Sequence, residues 1–528
     1  MTEQKRTRRT TKSQPVAKEQ NLDLTALPDI TPFVTNPDGN VYAVTNLTEE
    51  FIAVLFAWVS RSPKSFKEHL LKAIQDGLIN ASDYQGKDSF EKLSKKAQDF
   101  HEKWTVSYGH SSVAEHANAH VGIEKVSRLA SAELELSNTF YSITEYSQRY
   151  QKPQRGDWHN PVPKSMPNPN GITRDMVPNP LWQEFEDFMN ECYDVFEQLI
   201  DGVYKHLKEA DDKLFHPSSG TANIKRDNEI MKLAFEDARY ALPLAMHTQL
   251  GMTANGRTWR DGIATLYSSS YPEVIKLAGD LKTEITKVLP TLLKHAVPSQ
   301  YKVNSKQRIK HRFADQPSAT KVSNLATLIK GPSPKKAIET IIAEAIVQEN
   351  GIPYEEAMRR AENISNPTEI IKEMLFEIGK HDTPPESFRG IDFSFELLVS
   401  EANWHQLLRH NRKTDFIYNQ PSPYNGVTIP PRIAEAGLQG LLFDLAEKAE
   451  TLYEKLLGTV GHEYTAPYIV LNTHRRRIVA HFDLWEAYHL INLRTSEEAQ
   501  WDIRETFEEV YRQLHLLYPD LIDQAKRR

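Results

Sequence analysis

The stretch Lys380-His381-Asp382-Thr383-Pro384-Pro385-Glu386 restates an earlier one, Gly109-His110-Ser111-Ser112-Val113-Ala114-Glu115, keeping a His, a hydroxyl residue and a Glu at the same spacing. Behind the later copy comes Ile391-Asp392-Phe393-Ser394-Phe395-Glu396-Leu397, whose alternation is the period-two pattern of a half-buried strand; a helical pattern follows in both places. Farther on, Ala238-Arg239-Tyr240-Ala241-Leu242-Pro243-Leu244 has a counterpart in Ala466-Pro467-Tyr468-Ile469-Val470-Leu471. The second pair of motifs is closer together than the first, so the first half carries a net insertion, which we place in the Pro/Asn-rich stretch after Arg155. The chain therefore reads as two diverged copies of one fold.

Around that repeat the expected organisation is a disordered basic tail over 1–40 (Lys5, Arg6, Arg8, Arg9, Lys12, Lys18), a first half over 41–298 with its insertion near 155–180, a polar linker over 299–323 and a second half over 324–528. Apolar residues at three- and four-residue spacing predict helices over Leu47–Asp76, Pro180–Leu214, Pro272–Leu293, Ala337–Ala361 and Ala434–Leu457. The 528 residues carry a net charge of -7, which argues against a protein built on nucleic-acid backbone contacts. One cysteine, Cys192, leaves no intramolecular disulfide or cysteine zinc site and fits a reducing cytoplasm. The longest apolar run, Phe51 to Val59, falls far short of the about 20 residues that span a bilayer, and no membrane role is expected. His116 and His120 have the spacing of a helical metal pair, yet their surroundings alternate as a strand does and no third ligand is evident; no metal is expected. His474-Arg475-Arg476-Arg477 reads as a solvated helix face bordering an anionic site.

In order, His110 to His116, Ser147-Gln148-Arg149-Tyr150, Ala238-Arg239 with Leu242-Pro243-Leu244, Gln406-Leu407-Leu408-Arg409-His410, Thr428-Ile429-Pro430-Pro431, Asn492-Leu493-Arg494 and Ala499-Gln500-Trp501 resemble the motifs of the flavin-dependent thymidylate synthases. The departures are complementary. The family's Arg-His-Arg falls on Ser137, Asn138 and Thr139 in the first half, and Leu266 stands at its closing Arg. In the second half Asn419 and Pro421 occupy the Ser and Arg positions, Pro467 replaces the Arg of the Ala-Arg pair, and Asn411 precedes Arg412.

The resemblance implies an α+β fold, two tandem copies of an antiparallel sheet packed with helices, and reductive methylation of dUMP to dTMP. Methylenetetrahydrofolate would be the carbon donor, and FAD reduced by NADPH the hydride source. It implies a composite nucleotide site: Glu145, Ser147, Gln148, Arg149 and Arg239 from the first half, and Gln406, Arg409 and Arg494 from the second. Arg149 and Arg239 would clamp the phosphate, and Arg494 would act catalytically at the uracil edge. Flavin contacts carried over by position are Ser112, Thr383, Asn255, Arg257, Arg409, His410 and His489. Asp483 and Trp485, the counterparts of Asn255 and Arg257, suggest that only one type of site takes flavin, since an Asp repels a pyrophosphate. A Gly-x-Gly-x-x-Gly unit for the nicotinamide is absent. A homodimer would rebuild the family's tetramer with half the usual sites, reciprocal positions being without function. Two other readings stay open: a non-catalytic nucleotide- or RNA-binding protein, and the same chemistry on another uridine substrate.

Overall fold

In the computed structural model the residues described are 28–46, 59, 62–75, 118–149, 151–168, 176–214, 221–289, 292–313 and 324–527. His110 to His116, including Ser112, and Tyr150 lie outside them. The first half runs β1 (Val41–Val44), α1 (Phe66–Gln75), β2 (Asn118–Ser127), α2 (Arg128–Leu136), β3 (Ser142–Glu145), α3 (Pro180–Leu214), α4 (Thr221–Ala238), β4 (His247–Asn255), α5 (Gly256–Leu266) and α6 (Pro272–Thr286). A helix α7 (Gln300–Phe313) follows. The second half runs β5 (Ala326–Lys330), α8 (Pro334–Asn350), α9 (Tyr354–Glu362), α10 (Pro367–Leu375), β6 (Asp392–Ser400), α11 (Glu401–Leu407), β7 (Asp415–Tyr418), α12 (Gln439–Gly458), β8 (Arg475–Asp483), α13 (Leu484–Arg494) and α14 (Trp501–Leu517).

Among the described residues each half builds an antiparallel four-stranded sheet, in the orders β1-β2-β4-β3 and β5-β6-β8-β7, and the first half adds the antiparallel pair Ser165–Pro167 with Met176–Pro178, so the duplication read from the sequence is a duplication of topology. The copies agree in detail. Ser127 and Ser400 cap α2 and α11, their side chains accepting from Ala130 N at 2.9 Å and Asn403 N at 3.0 Å. Asn255 and Asp483 cap α5 and α13 in the same way. One difference is a bulge between Ile123 and Val126 in β2, where Lys125 takes φ 53°.

The two copies join at a pseudo-twofold centre, the antiparallel pair Pro243 and Leu471. Around it Leu244 N donates to Val470 O (2.9 Å), Ala245 N to Tyr468 O (2.8 Å), Asn472 N to Leu242 O (2.9 Å) and Thr473 N to Tyr240 O (3.1 Å). Packing also crosses the expected boundary. Leu442, Leu445, Leu452 and Leu456 of α12 are buried in the first half's core beside Phe185, Phe196 and Leu199 of α3. A fully buried leucine contributes about 1.5–3 kcal/mol, so α12 ties the halves together more strongly than a surface linker would.

Four expectations need correction. Residues 28–40 of the expected tail are folded: Ile30, Phe33 and Val34 are buried and Val34 bridges Val44. Half of the expected linker is the helix α7, whose Lys302 reaches Thr265 and whose Lys310 sits over Tyr464. The helix expected over Ala337–Ala361 is two helices, broken where Gly351 turns left-handed ahead of Pro353. His474–Arg477 does not form a helix: Arg475, Arg476 and Arg477 open strand β8, with His474 and Arg476 buried.

Candidate active site

Three elements of the first half and one turn of the second converge on one buried acid. Glu145, the last residue of β3, is contacted by Arg128 at the start of α2 and receives hydrogen bonds from Ser131 Oγ (2.8 Å) and Thr248 Oγ1 (3.0 Å). Its other oxygen accepts from Arg409 Nη2 at 2.6 Å, across the junction between halves. Burial would raise the Glu145 carboxyl, but Arg128 and Arg409 outweigh it and hold it below its ordinary value. Glu135, 3.7 Å from the same Arg409, is pushed up to about 7 by burial. The two acids thus stay distinct in charge around one guanidinium.

The remaining arginines gather next to this pair. Arg149 donates Nε to Glu236 Oε1 at 2.7 Å. Arg432 bridges Glu236 (3.5 Å) and Asp237 (3.1 Å), and Trp501 Nε1 donates to the same Asp237 oxygen at 2.9 Å. Arg239 is buried, with Nε on the Glu236 carbonyl at 3.1 Å. Arg494, at the end of α13, donates Nε to His410 Nε2 (2.8 Å) and Nη2 to the Gln406 carbonyl (3.2 Å). Burial, then the charges of Arg409 and Arg149, bring Arg494 down to about 10. Arg149 of the first half and Arg409 and Arg494 of the second therefore share one electrostatic environment within a single chain.

Among the described residues, three donors in this cluster are buried without a partner: Arg239 Nη2, Gln148 Nε2 and Arg128 Nε. Leaving such groups unmet costs about 1–3 kcal/mol each, more when charged, so an acceptor atom from water or a ligand would be stabilised here. His405 and His410 stay neutral among the cations: burial lowers both, His405 further through Arg128 and His410 further through Arg494. Gln406 also donates Nε2 to Gln500 Oε1 at 3.2 Å, and Gln500 donates to Tyr240 OH at 3.2 Å. Gln500 thereby links the two halves' motifs.

The structure unites Glu145, Ser147, Gln148, Arg149, Arg239, Gln406, Arg409, His410 and Arg494 around this junction, while dividing the flavin residues carried over by position. Thr383 and His489 line a pocket of about 90 Å³ on the α13 side. Asn255 and Arg257 lie instead at the start of α5, which packs on the first-half counterpart of the His410 turn through Asn138 and the Thr258 carbonyl (3.5 Å). Asn255 spends its side chain on capping α5. Asp483 lies in the corner that holds His410 and Arg494, where Arg389 approaches it at 3.9 Å. Trp485, in that corner, carries Arg389 and Lys413 over its ring at 4.0 and 3.4 Å.

The cap and strand registers also shift two alignments by one residue. They set Leu136 and Ser137 opposite Arg409 and His410, and Gln420 and Ser422 opposite Ser147 and Arg149. The sequence reading missed Arg128, Glu135, Glu236, Asp237, Arg432 and Glu486. Gln500 was visible within Ala499-Gln500-Trp501; the acids carry no motif, and only folding pairs them with arginines.

A family model described as thymidylate synthase complementing protein matches residues 45–291 and again 328–520. The chain belongs to that family. Both copies of the fold are matched, so the chain is a tandem form of the family. Among curated relatives, a UPF0159 protein of Chlamydia pneumoniae is 23% identical over 93% of this chain and 92% of its own length. A flavin-dependent thymidylate synthase of Clostridium tetani is 28% identical over 37% of this chain and 68% of its own. One of Geobacter sulfurreducens is 30% identical over 37% and 67%. A solved UMP/dUMP methylase of Streptomyces cacaoi, with 5-Br-dUMP bound, aligns with TM-score 0.31 and 14% identity over 38% of this chain and 93% of that one. The family membership and the mixed helix and antiparallel-sheet architecture agree with the α+β class expected.

Proposed function

We propose that this protein is a uridylate methyltransferase that converts dUMP to dTMP at one composite site per chain, with methylenetetrahydrofolate as carbon donor and flavin reduced by NADPH. The observation that carries the reading is the convergence of Arg149 and Arg239 with Arg409 and Arg494, together with the unpartnered buried donors on Arg239, Gln148 and Arg128. Arginine forks donate parallel hydrogen bonds to phosphate and stay charged at any working pH. In this reading Arg149 and Arg239 take the phosphate, with Ser147 and Gln148 completing the cradle. Arg494 meets the uracil edge, where a fixed cation stabilises negative charge developing on the ring during methyl transfer. Arg409 and Gln406 fix the nucleotide's orientation, and Glu145 holds Arg128 and Arg409 at the junction.

The α13 corner fits an anionic flavin: His489 and Thr383 would hold it beside the His410 ring, and Arg389 and Lys413 offset Asp483. A bound flavin would supply the hydride that completes the methyl group. The protein's own task is to orient the pyrimidine, exclude water and keep neutral His410 beside charged Arg494. The relatives named flavin-dependent thymidylate synthase support this assignment.

Purified protein should be yellow, with absorption near ~450 nm as expected of bound flavin. It should form dTMP from dUMP when given NADPH and methylenetetrahydrofolate. Well-folded protein with neither flavin nor turnover would refute the proposal; dUMP binding without either would favour a nucleotide-binding role.

A further inference from the structure

Glu486 belongs to none of the motifs above, yet its side chain is buried, 2% exposed, against the turn that carries His410. A guanidinium N–H can only donate, so the 2.8 Å contact from Arg494 Nε makes His410 Nε2 the lone-pair nitrogen and puts the ring proton on Nδ1. Nδ1 faces Glu486 Oε1 at 3.9 Å, within ion-pair reach though longer than a hydrogen bond. Arg494 Nη2 is held by the Gln406 carbonyl. That leaves Nη1 as the arginine's donor without a partner among the described residues.

The geometry points to Glu486 as a positioning residue for the nucleotide: it secures the Nδ1–H of His410, so that Nε2 remains an acceptor and holds Arg494 with Nη1 presented to the ligand. The role at the nucleotide rests on the function proposed above; the Glu–His–Arg chain itself does not. Glu486, His410 and His489 also have their donor atoms within 4.8 Å of one another, a spacing that suits a cation. A metal on Nδ1 would drive the ring proton to Nε2, against the Arg494 N–H, so the observed contact favours the relay.

The relay is charge-sensitive. Glu486 is flanked by Lys413, Asp483 and Arg389, and His410 by Arg494, His489 and Arg409. Burial pushes Glu486 up to about 8, Asp483 adding to the effect and Lys413 and Arg389 opposing it. Its carboxyl therefore gains charge, and a firmer hold on the Nδ1–H, as pH rises through that value.

Two measurements test this on the full chain. With ¹⁵N-labelled histidine, and the His410 signals identified by their loss in His410→Gln, His410 should be the neutral Nδ1–H tautomer at pH 7. An Nε2–H tautomer or a cation would overturn the relay whether or not the protein binds dUMP. In dUMP titrations Glu486→Ala should weaken binding about tenfold, the scale of one hydrogen bond to a charged group. Glu486→Gln keeps an acceptor, so its affinity at pH 7 should stay within about twofold of the parent, but it should lose the parent's gain between pH 7 and 9. Comparing parent and variant cancels the ligand's own titration. Identical affinities and pH profiles in all three proteins would overturn the positioning role. A parent protein that binds no dUMP would refute the function while the tautomer still decides the relay, and if Glu486→Ala fails to fold, the Gln profile decides.

Discussion

Where Arg128 starts α2 in the first half, Glu401 starts α11 in the second; where Glu145 ends β3, Tyr418 ends β7; where Thr248 stands in β4, Arg476 stands in β8. The same pseudo-twofold centre thus relates two positions of opposite chemistry. At the first, arginines from both halves surround Glu145 and three buried donors lack partners. At the second, Arg476 is consumed by a buried two-pronged pair with Glu401 (2.9 and 3.0 Å) and by the Asn419 carbonyl (3.2 Å), with Trp404 and Tyr418 beside it. Glu133 occupies the place corresponding to Gln406, its carboxyl raised by burial near Lys306 and Arg476. One position has spare donors and the other has spent its cation. A duplicated fold that needs two copies per site can keep one site and turn the other into structure.

The largest expected effect comes from breaking the first position. Arg149→Ala and Arg409→Ala should each lower kcat/KM for dUMP by about 10²–10³-fold, the range for removing a donor aimed at developing or bound charge. Mixing the two variant proteins should restore nothing if the junction where both arginines stand, inside one chain, is the proposed site. Recovery toward half the parent activity would instead place the site between chains.

Breaking the second position should act on stability alone. Arg476→Met leaves Glu401 buried and unpaired, and should cost about 3–5 kcal/mol in denaturant unfolding. Folded protein should still bind dUMP as the parent does. A large loss of affinity without loss of stability would show that the mirror position also takes part in binding.

A smaller effect follows from Glu135. Its folded carboxyl is raised to about 7, so its contribution is fully present below the ordinary glutamate value and is lost as pH rises through about 7. Glu135→Gln should remove that slope: its stability relative to the parent should improve by about 1–3 kcal/mol between pH 4.5 and pH 8. An unchanged difference would mean that Arg409 keeps Glu135 ionised throughout. Smallest of all, Leu266→Arg, which restores the closing arginine at the mirror position only, should leave turnover within about twofold of the parent. A gain approaching a doubling of sites would show the mirror to be latent rather than lost.

The motif order made the duplication, the fold class and most of the junction's arginines legible, because Ser147–Arg149, Gln406–His410 and Asn492–Arg494 sit at element ends. What stayed hidden is what the third dimension supplies. Glu236 and Asp237 near the end of α4 look like ordinary helix acids until Arg149 and Arg432 reach them. Asn255 and Asp483 match a flavin motif by position, yet both spend their side chains capping helices. The one-residue slip at Arg409 was equally invisible, since a spacing count cannot replace the frame set by Ser127 and Ser400. Glu486 lacked any signal, its meaning arising only from the tautomer that Arg494 imposes on His410.

The claim that the two related positions have divided their labour is tested most directly by the stoichiometry of dUMP binding to the intact chain in equilibrium titration. The account predicts one equivalent of dUMP per chain, lost in Arg149→Ala and in Arg409→Ala and retained in folded Arg476→Met. Two equivalents per chain, or one that survives both arginine variants, would contradict it.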